Sequence, residues 1–118
     1  MKTILVDAVH GFIIEEGDGF KIFQEMRALL ERFPNSKIIL TGADDAQYKK
    51  FGLDKMPYDV FTLKHNPEKA NPKYFETLLN QFGLSSEDVI YFEHDPNAIK
   101  SAESVGIKSY FYDSKKET

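Results

Sequence analysis

Five short apolar runs recur along the chain, over residues 3–6, 37–40, 59–63, 89–92 and 108–112. They are continuous rather than alternating and rich in Ile, Val, Phe and Tyr, which is how strands covered on both faces read. Between the runs, apolar positions recur every three or four residues. Phe23, Met26, Leu30 and Phe33 predict a helix over 20–33 that Pro34 stops. A shorter helical stretch over 44–51 ends at Gly52, placed as a C-terminal cap. Asn71 can cap a helix that has Pro72 at its first position. Tyr74, Phe75, Leu78, Leu79 and Phe82 form that helix's apolar face, and Gly83 ends it. Asp95 and Pro96 repeat the start signal ahead of Ile99, Ala102, Val105 and a closing Gly106.

The elements therefore alternate as βαβαβαβαβ. This predicts an α/β fold with a doubly wound parallel five-stranded sheet and helices on both faces. With the runs counted one to five, the expected spatial order is 5-4-1-2-3. One connection, over 8–19, is long at about a dozen residues. In it Phe12, Ile13 and Ile14 precede Glu15-Glu16-Gly17-Asp18-Gly19, an apolar run followed by a turn. That predicts a small hairpin over 12–19, with Ile13 and Ile14 free to meet a partner or the sheet edge. A loop of this length at this place usually serves a site. Residues 1–113 read as one domain and 114–118 as a polar tail.

Composition narrows the function classes. The 118 residues include no Cys, which excludes a disulfide scaffold, a thiol nucleophile and Cys-ligated zinc. A net charge of -4 argues against a nucleic-acid module driven by phosphate contacts. No apolar run approaches the roughly 18 residues of a membrane span, and Asp7 interrupts the N-terminal apolar stretch at once. The expectation is a cytoplasmic chain with no membrane partner. No Gly-x-x-x-x-Gly-Lys loop occurs, and Gly17-Asp18-Gly19 lacks the third Gly of a dinucleotide fingerprint.

The placement of the polar residues says more. In open α/β sheets ligands bind beyond the carboxyl ends of the strands, where strand order reverses. The first predicted strand ends at Asp7 and the second at Thr41. The fourth runs into Glu93-His94-Asp95, and Lys69 precedes the helix that begins at Pro72. If strands one and four are neighbours, Asp7 and the Glu93–Asp95 turn stand about 5 Å apart, one strand spacing. Each residue also has an ordinary reading. Asp95 is a good helix N-cap, Thr41 suits a strand end, and Lys69 can be a surface lysine with Lys73 competing for its role. A three-His metal site of His10, His65 and His94 is disfavoured, because strand three should lie two strands from strand one.

The layout resembles the haloacid dehalogenase-like superfamily, most of whose members are phosphatases. The strongest stretches are Lys69-Ala70-Asn71-Pro72 through Phe75, then residues 89–99 and 102–106. Asp7 after Ile4-Leu5-Val6 matches the family's first motif, and Thr41 after Ile38-Ile39-Leu40 its second. The resemblance implies Asp7 as nucleophile of an aspartyl-phosphate mechanism, with Thr41 and Lys69 as phosphate ligands. It implies a metal held by Asp7, the backbone near Val9, and Glu93, His94 or Asp95, with Mg²⁺ first and Mn²⁺ or Zn²⁺ as alternatives.

Three departures qualify that pattern. Val9 stands where the family's phosphatases carry a second Asp as general acid and base. His10-Gly11 replaces the Gly-Thr that normally follows. His94 occupies a position usually held by Asp, and Ala98 one near which another acid is usual. The expected activity is a weak, capless phosphohydrolase open to large phosphorylated substrates. The alternative is an inactive module that binds through the same fold. A receiver domain of the response-regulator type is excluded, because strand three ends in Thr62-Leu63-Lys64-His65 with no acceptor Asp.

Overall fold

The structure, a computed structural model, describes residues 2–113. The polar tail expected over 114–118 lies outside the described residues. The chain begins with β1 (Thr3–Asp7) and a hairpin of β2 (Ile13–Glu16) and β3 (Gly19–Ile22). It continues through α1 (Gln24–Glu31), β4 (Lys37–Thr41), α2 (Asp45–Lys50), β5 (Asp59–Thr62) and α3 (Pro72–Phe82). It then runs through β6 (Val89–Glu93), α4 (Pro96–Ser104) and β7 (Lys108–Phe111). Five strands form one parallel sheet in the order β5-β4-β1-β6-β7. The expected order was written over five strands; here the hairpin takes the labels β2 and β3, and in these labels β1 stands between β4 and β6. No helix among the described residues is long and apolar enough to cross a membrane.

β1 is the central strand, and all five of its residues are buried. Its side chains alternate between two cores. Ile4 and Val6 join Phe12, Ile13, Phe23, Met26, Leu30 and Ile39 on the α1 side. Leu5 joins Tyr74, Phe75, Leu78, Tyr91 and Ala102 on the side covered by α3 and α4. A continuous apolar run in the sequence is thus a strand feeding both faces.

Two expectations are corrected. The helix predicted over 20–33 starts only at Gln24, because Phe20 belongs to β3 and pairs with Glu15 of β2. Phe20 and Ile22 follow the two-residue period of a strand, while Phe23, Met26 and Leu30 follow the helical one. Phe33 lies beyond the helix end and is 48% exposed instead of buried. The hairpin spans 13–22 rather than 12–19, and Ile13 is buried in the chain's own core, so it is not available to a partner.

The helix starts follow local chemistry. Asn71 accepts the Lys73 N–H at 3.0 Å with Pro72 at the first turn, and Asp95 accepts the Asn97 N–H at 2.9 Å ahead of Pro96. These caps set where α3 and α4 begin, and so which residues stand at the carboxyl edge of β1 and β6.

Candidate active site

Asp7 closes β1 and is 3% exposed. The chain then turns tightly, with Phe12 N–H bonded to the Asp7 carbonyl at 2.9 Å and Ile13 N–H to the Ala8 carbonyl at 2.8 Å. Gly11 makes that turn possible, since a Cβ there would stand 2.2 Å from the Asp7 carbonyl oxygen. The loop is therefore wound against the backbone of Asp7, the candidate residue at the end of β1.

Three further groups converge on the Asp7 carboxylate. Glu93 ends the neighbouring strand β6 and is fully buried. His94 follows it, and its Nδ1 lies 2.5 Å from Asp7 Oδ2 and 3.2 Å from Glu93 Oε2. Lys69 arrives from the loop before α3, with Nζ 2.5 Å from Asp7 Oδ1 and 2.8 Å from Glu93 Oε1. In that loop Lys64 and His65 both adopt left-handed backbone, at φ 53° and 66°, as the chain leaves β5. Tyr74 anchors the start of α3 by donating from its hydroxyl to the Thr41 carbonyl at 2.7 Å and the Phe61 carbonyl at 3.2 Å.

Glu93 is the more heavily bonded carboxylate. Its Oε2 also accepts the backbone N–H groups of His94 at 3.0 Å and Asp95 at 3.2 Å. Its Oε1 accepts the Tyr91 hydroxyl as well as Lys69. Tyr91 lies two residues back on the same face of β6 and is fully buried. Burial by itself would raise the Glu93 carboxyl, but Lys69 and the bonds from its neighbours outweigh burial and hold it well below the usual carboxylate range. At Asp7 burial prevails over the pull of Lys69, and the charge of Glu93 adds to it, so its pKa is pushed up to about 6. The bonds to Asp7 and Glu93 push the His94 imidazole up to about 10, against burial. At Lys69 burial works against the charge, yet the two carboxylates hold it above its ordinary value. At neutral pH two anions thus face two cations.

Asp7, Glu93 and His94 offer ligating atoms within 4.8 Å of one another, a possible metal cluster. Mg²⁺ demands near-octahedral oxygen coordination at about 2.0–2.1 Å. The observed arrangement does not fit it. His94 Nδ1 stands between the two carboxylates, whose bonds favour its protonated form, and Lys69 Nζ bridges both. An ion bound through His94 Nδ1 takes the place of the proton there, and that nitrogen suits a softer ion than Mg²⁺.

The other candidate residues are placed differently. The Asp95 carboxylate is used as the α4 cap, with no bond to the cluster among the described residues. The Thr41 hydroxyl accepts the Ala43 N–H at 3.1 Å across the turn after β4, and no hydrogen bond joins it to Asp7, Lys69, Glu93 or His94. The Val9 side chain packs with the α1-side core, and its backbone pairs with Ile13. His10 stands with its ring edge-on to His94, centroids 5.3 Å apart, and its Nε2 3.9 Å from Glu15 of the hairpin. His65 turns elsewhere, bonded at 2.5 Å to both Glu68 and Gln47. Tyr91 and Tyr74 are the members that sequence reasoning missed. The signal for Tyr91 was its position two residues before Glu93, on the same strand face.

No protein-family model matches the chain, and no curated protein matches it. Solved structures do match. A HAD family enzyme from Bacteroides thetaiotaomicron, crystallised as an aspartate-to-alanine mutant in complex with magnesium and inorganic phosphate, is similar with a TM-score of 0.72 at 12% identity, over 94% of this chain and 93% of its own. The core domain of a candidate phosphoglycolate phosphatase from Streptococcus pneumoniae gives a TM-score of 0.59 at 18% identity, over 96% and 81%. A conserved haloacid dehalogenase-like protein of unknown function from Agrobacterium tumefaciens gives 0.61 at 21% identity, over 76% of this chain but 44% of its own. What these likenesses establish is the fold, that of the haloacid dehalogenase-like proteins.

Proposed function

We propose that this haloacid dehalogenase-like chain is a slow phosphohydrolase that passes a phosphoryl group first to Asp7 and then to water. The observation that carries the reading is Asp7 itself, a buried carboxylate at the end of the central strand with an ammonium and an imidazolium each 2.5 Å away. The likeness to a HAD family enzyme holding magnesium and inorganic phosphate supports it.

The chemistry follows from the two cations. An incoming phosphoryl group accepts hydrogen bonds from Lys69 and His94, and Asp7 is released from both. An Asp7 oxygen then attacks phosphorus in line while the bond to the leaving oxygen breaks. Charge developing on the phosphoryl oxygens is offset by groups already in place. Water next attacks the aspartyl phosphate and restores the carboxylate. Thr41 serves as a further phosphate ligand through its hydroxyl proton. The β2–β3 hairpin acts as a small flap, and among the described residues no separate cap covers the site, which leaves room for a macromolecular phosphate.

Val9 cannot protonate a leaving group. Such help is typically worth roughly 10²–10⁴-fold. A nitrophenyl phosphate, whose phenolate leaves unaided, is therefore turned over far faster than an alkyl phosphate. Val9→Asp narrows that gap, and Asp7→Asn abolishes both activities. Turnover that survives Asp7→Asn rejects the mechanism. The accompanying metal expectation is weak Mg²⁺ binding that His94→Asp strengthens, with Mn²⁺ or Zn²⁺ preferred by the natural chain; calorimetry on both proteins measures it.

A second reading, a binding module without catalysis, is favoured by one observation. Both Asp7 oxygens are engaged by the chain's own cations. Under it no phosphate ester is hydrolysed, Val9→Asp gains nothing, and the fold persists.

A further inference from the structure

The two faces of the sheet are covered unequally. On one, Val89, Tyr91 and Ile107 are sealed beneath α3 and α4. On the other, Ile90 and Phe92 of β6 are only half-buried, and Tyr110 of β7 stacks on Phe92 while 42% exposed. Beside them opens an apolar cavity of about 360 Å³ bounded by Ile4, Met26, Leu29, Phe33, Ile90 and Phe92. α1 forms one wall, and at its outer side Leu29 is 43% exposed and Phe33 48%. Apolar surface gathered in one place and left to water is a candidate contact site.

The outer stripe of α1 indicates the occupant. Glu25, Ala28, Leu29 and Arg32 line a single concavity next to the cavity. Their spacing of three and four residues puts them on one helix face. An acid stands at the amino end of the stripe and a base at the carboxyl end, with a small and a large residue between. Read in reverse, the stripe is its own complement: Glu25 meets Arg32, and Ala28 meets Leu29. Among the described residues neither Glu25 nor Arg32 makes an ion pair within the chain.

We propose that this face binds a second copy of the chain as a two-fold symmetric dimer, with α1 antiparallel to α1 of the partner. Glu25 lies opposite the partner's Arg32, Leu29 seats over the partner's Ala28, and the paired helices close the mouth of each cavity. The contact is isologous, so every interaction occurs twice. Asp7 and Glu93 follow Leu5 and Tyr91 at the two-residue period of their strands, on the α3 side, so a contact through α1 does not cover them and the proposal does not depend on the phosphohydrolase reading.

Molar mass by light scattering across about 1 µM to 1 mM, the range that resolves weak and moderate association, tests it. The natural chain is expected to rise from 13.6 kDa towards twice that mass. Glu25→Arg and Arg32→Glu each set like charges opposite one another at two places and weaken association at least about tenfold. The double variant Glu25→Arg, Arg32→Glu restores the pattern with the signs exchanged and recovers the dimer. All four positions are exposed, and an unchanged circular dichroism spectrum and urea midpoint verify that each variant is folded. A single-chain mass throughout the range overturns the proposal. So does a dimer indifferent to the single reversals, or a double variant that associates no better than the singles.

Discussion

The carboxyl ends of β1 and β6 each present a buried carboxylate, one strand apart, to the same lysine and the same histidine, yet the two behave oppositely. Glu93 accepts from Lys69, the Tyr91 hydroxyl and two backbone N–H groups, and it is held strongly ionised. Among the described residues Asp7 has only side-chain donors, Lys69 and His94, and burial prevails, pushing its pKa up to about 6. Burial, Lys69 and His94 act on both carboxyls and each feels the other, so they titrate as a pair in which the proton is favoured on Asp7. Fixed backbone donors make an anchor of Glu93. Asp7 is paired with side chains that can turn to another anion, which suits the nucleophile role proposed for it. Environments that push two neighbouring carboxyls apart in this way assign them different roles.

The largest expected effect breaks that contrast at its anchored end. Glu93→Gln removes a buried charge on which Lys69, His94 and Tyr91 converge, and should cost about 3–5 kcal/mol of folding stability. Asp7→Asn should cost far less. The Asp7 pKa is raised from 3.8 to about 6, so the folded chain favours the protonated form. That favourable contribution is complete below pH 3.8 and is lost as pH rises through about 6. Above that pH the neutral amide removes an unfavourable buried charge. Urea denaturation of both variants at pH 7.5 measures the contrast, and equal losses at the two positions would remove the distinction drawn between them.

Next in size is the turn beneath Asp7. Gly11→Ala places a Cβ 2.2 Å from the Asp7 carbonyl oxygen, against backbone that cannot swing aside. The expected cost is about 1–3 kcal/mol, as for overpacking elsewhere in protein interiors. Displacing a reacting group by about 1 Å can cost 10²-fold in rate, so the loss of nitrophenyl phosphate turnover should exceed the loss of stability. Activity per folded molecule, measured below the unfolding transition, separates the two effects. An unchanged rate would show that the loop does not position Asp7.

How much of this was legible in the sequence depends on whether a residue's role follows from local chemistry. The five strands of the sheet were legible because strands buried on both faces are continuously apolar. Asp95 at a capping position was readable as a cap, and it is one. Asp7, Glu93 and His94 were visible as polar residues where apolar strands end. Lys69 was visible only as one of two lysines, because its choice over Lys73 rests on a loop whose left-handed turns at Lys64 and His65 no residue-type rule predicts. Tyr91 and Tyr74 were hidden, since a tyrosine in an apolar pattern reads as core and its hydroxyl shows its use only once the fold supplies an acceptor. The helix start was misplaced for a related reason: Phe20 suits a helical face, and only pairing with Glu15 places it in a strand.

The smallest predicted effect concerns His94, the most exposed member of the cluster at 31% of its side chain. Its pKa is raised from 6.5 to about 10 by bonds to Asp7 and Glu93, so protonation stabilises the folded chain. This contribution is complete below pH 6.5, declines as the unfolded chain loses its preference for the proton, and is gone once pH rises through about 10. Water screens a group this exposed, and the effect in urea midpoint should be modest. His94→Gln keeps a polar side chain without the charge. The natural chain should exceed this variant in midpoint most at pH 6 and least at pH 10.5, when the imidazole is neutral in both folded and unfolded states. A gap of constant size across that window would mean that His94 contributes by packing alone. In that case Lys69 would be the one cation holding Asp7, and the contrast between the two strand ends would rest on the lysine and the backbone donors of Glu93.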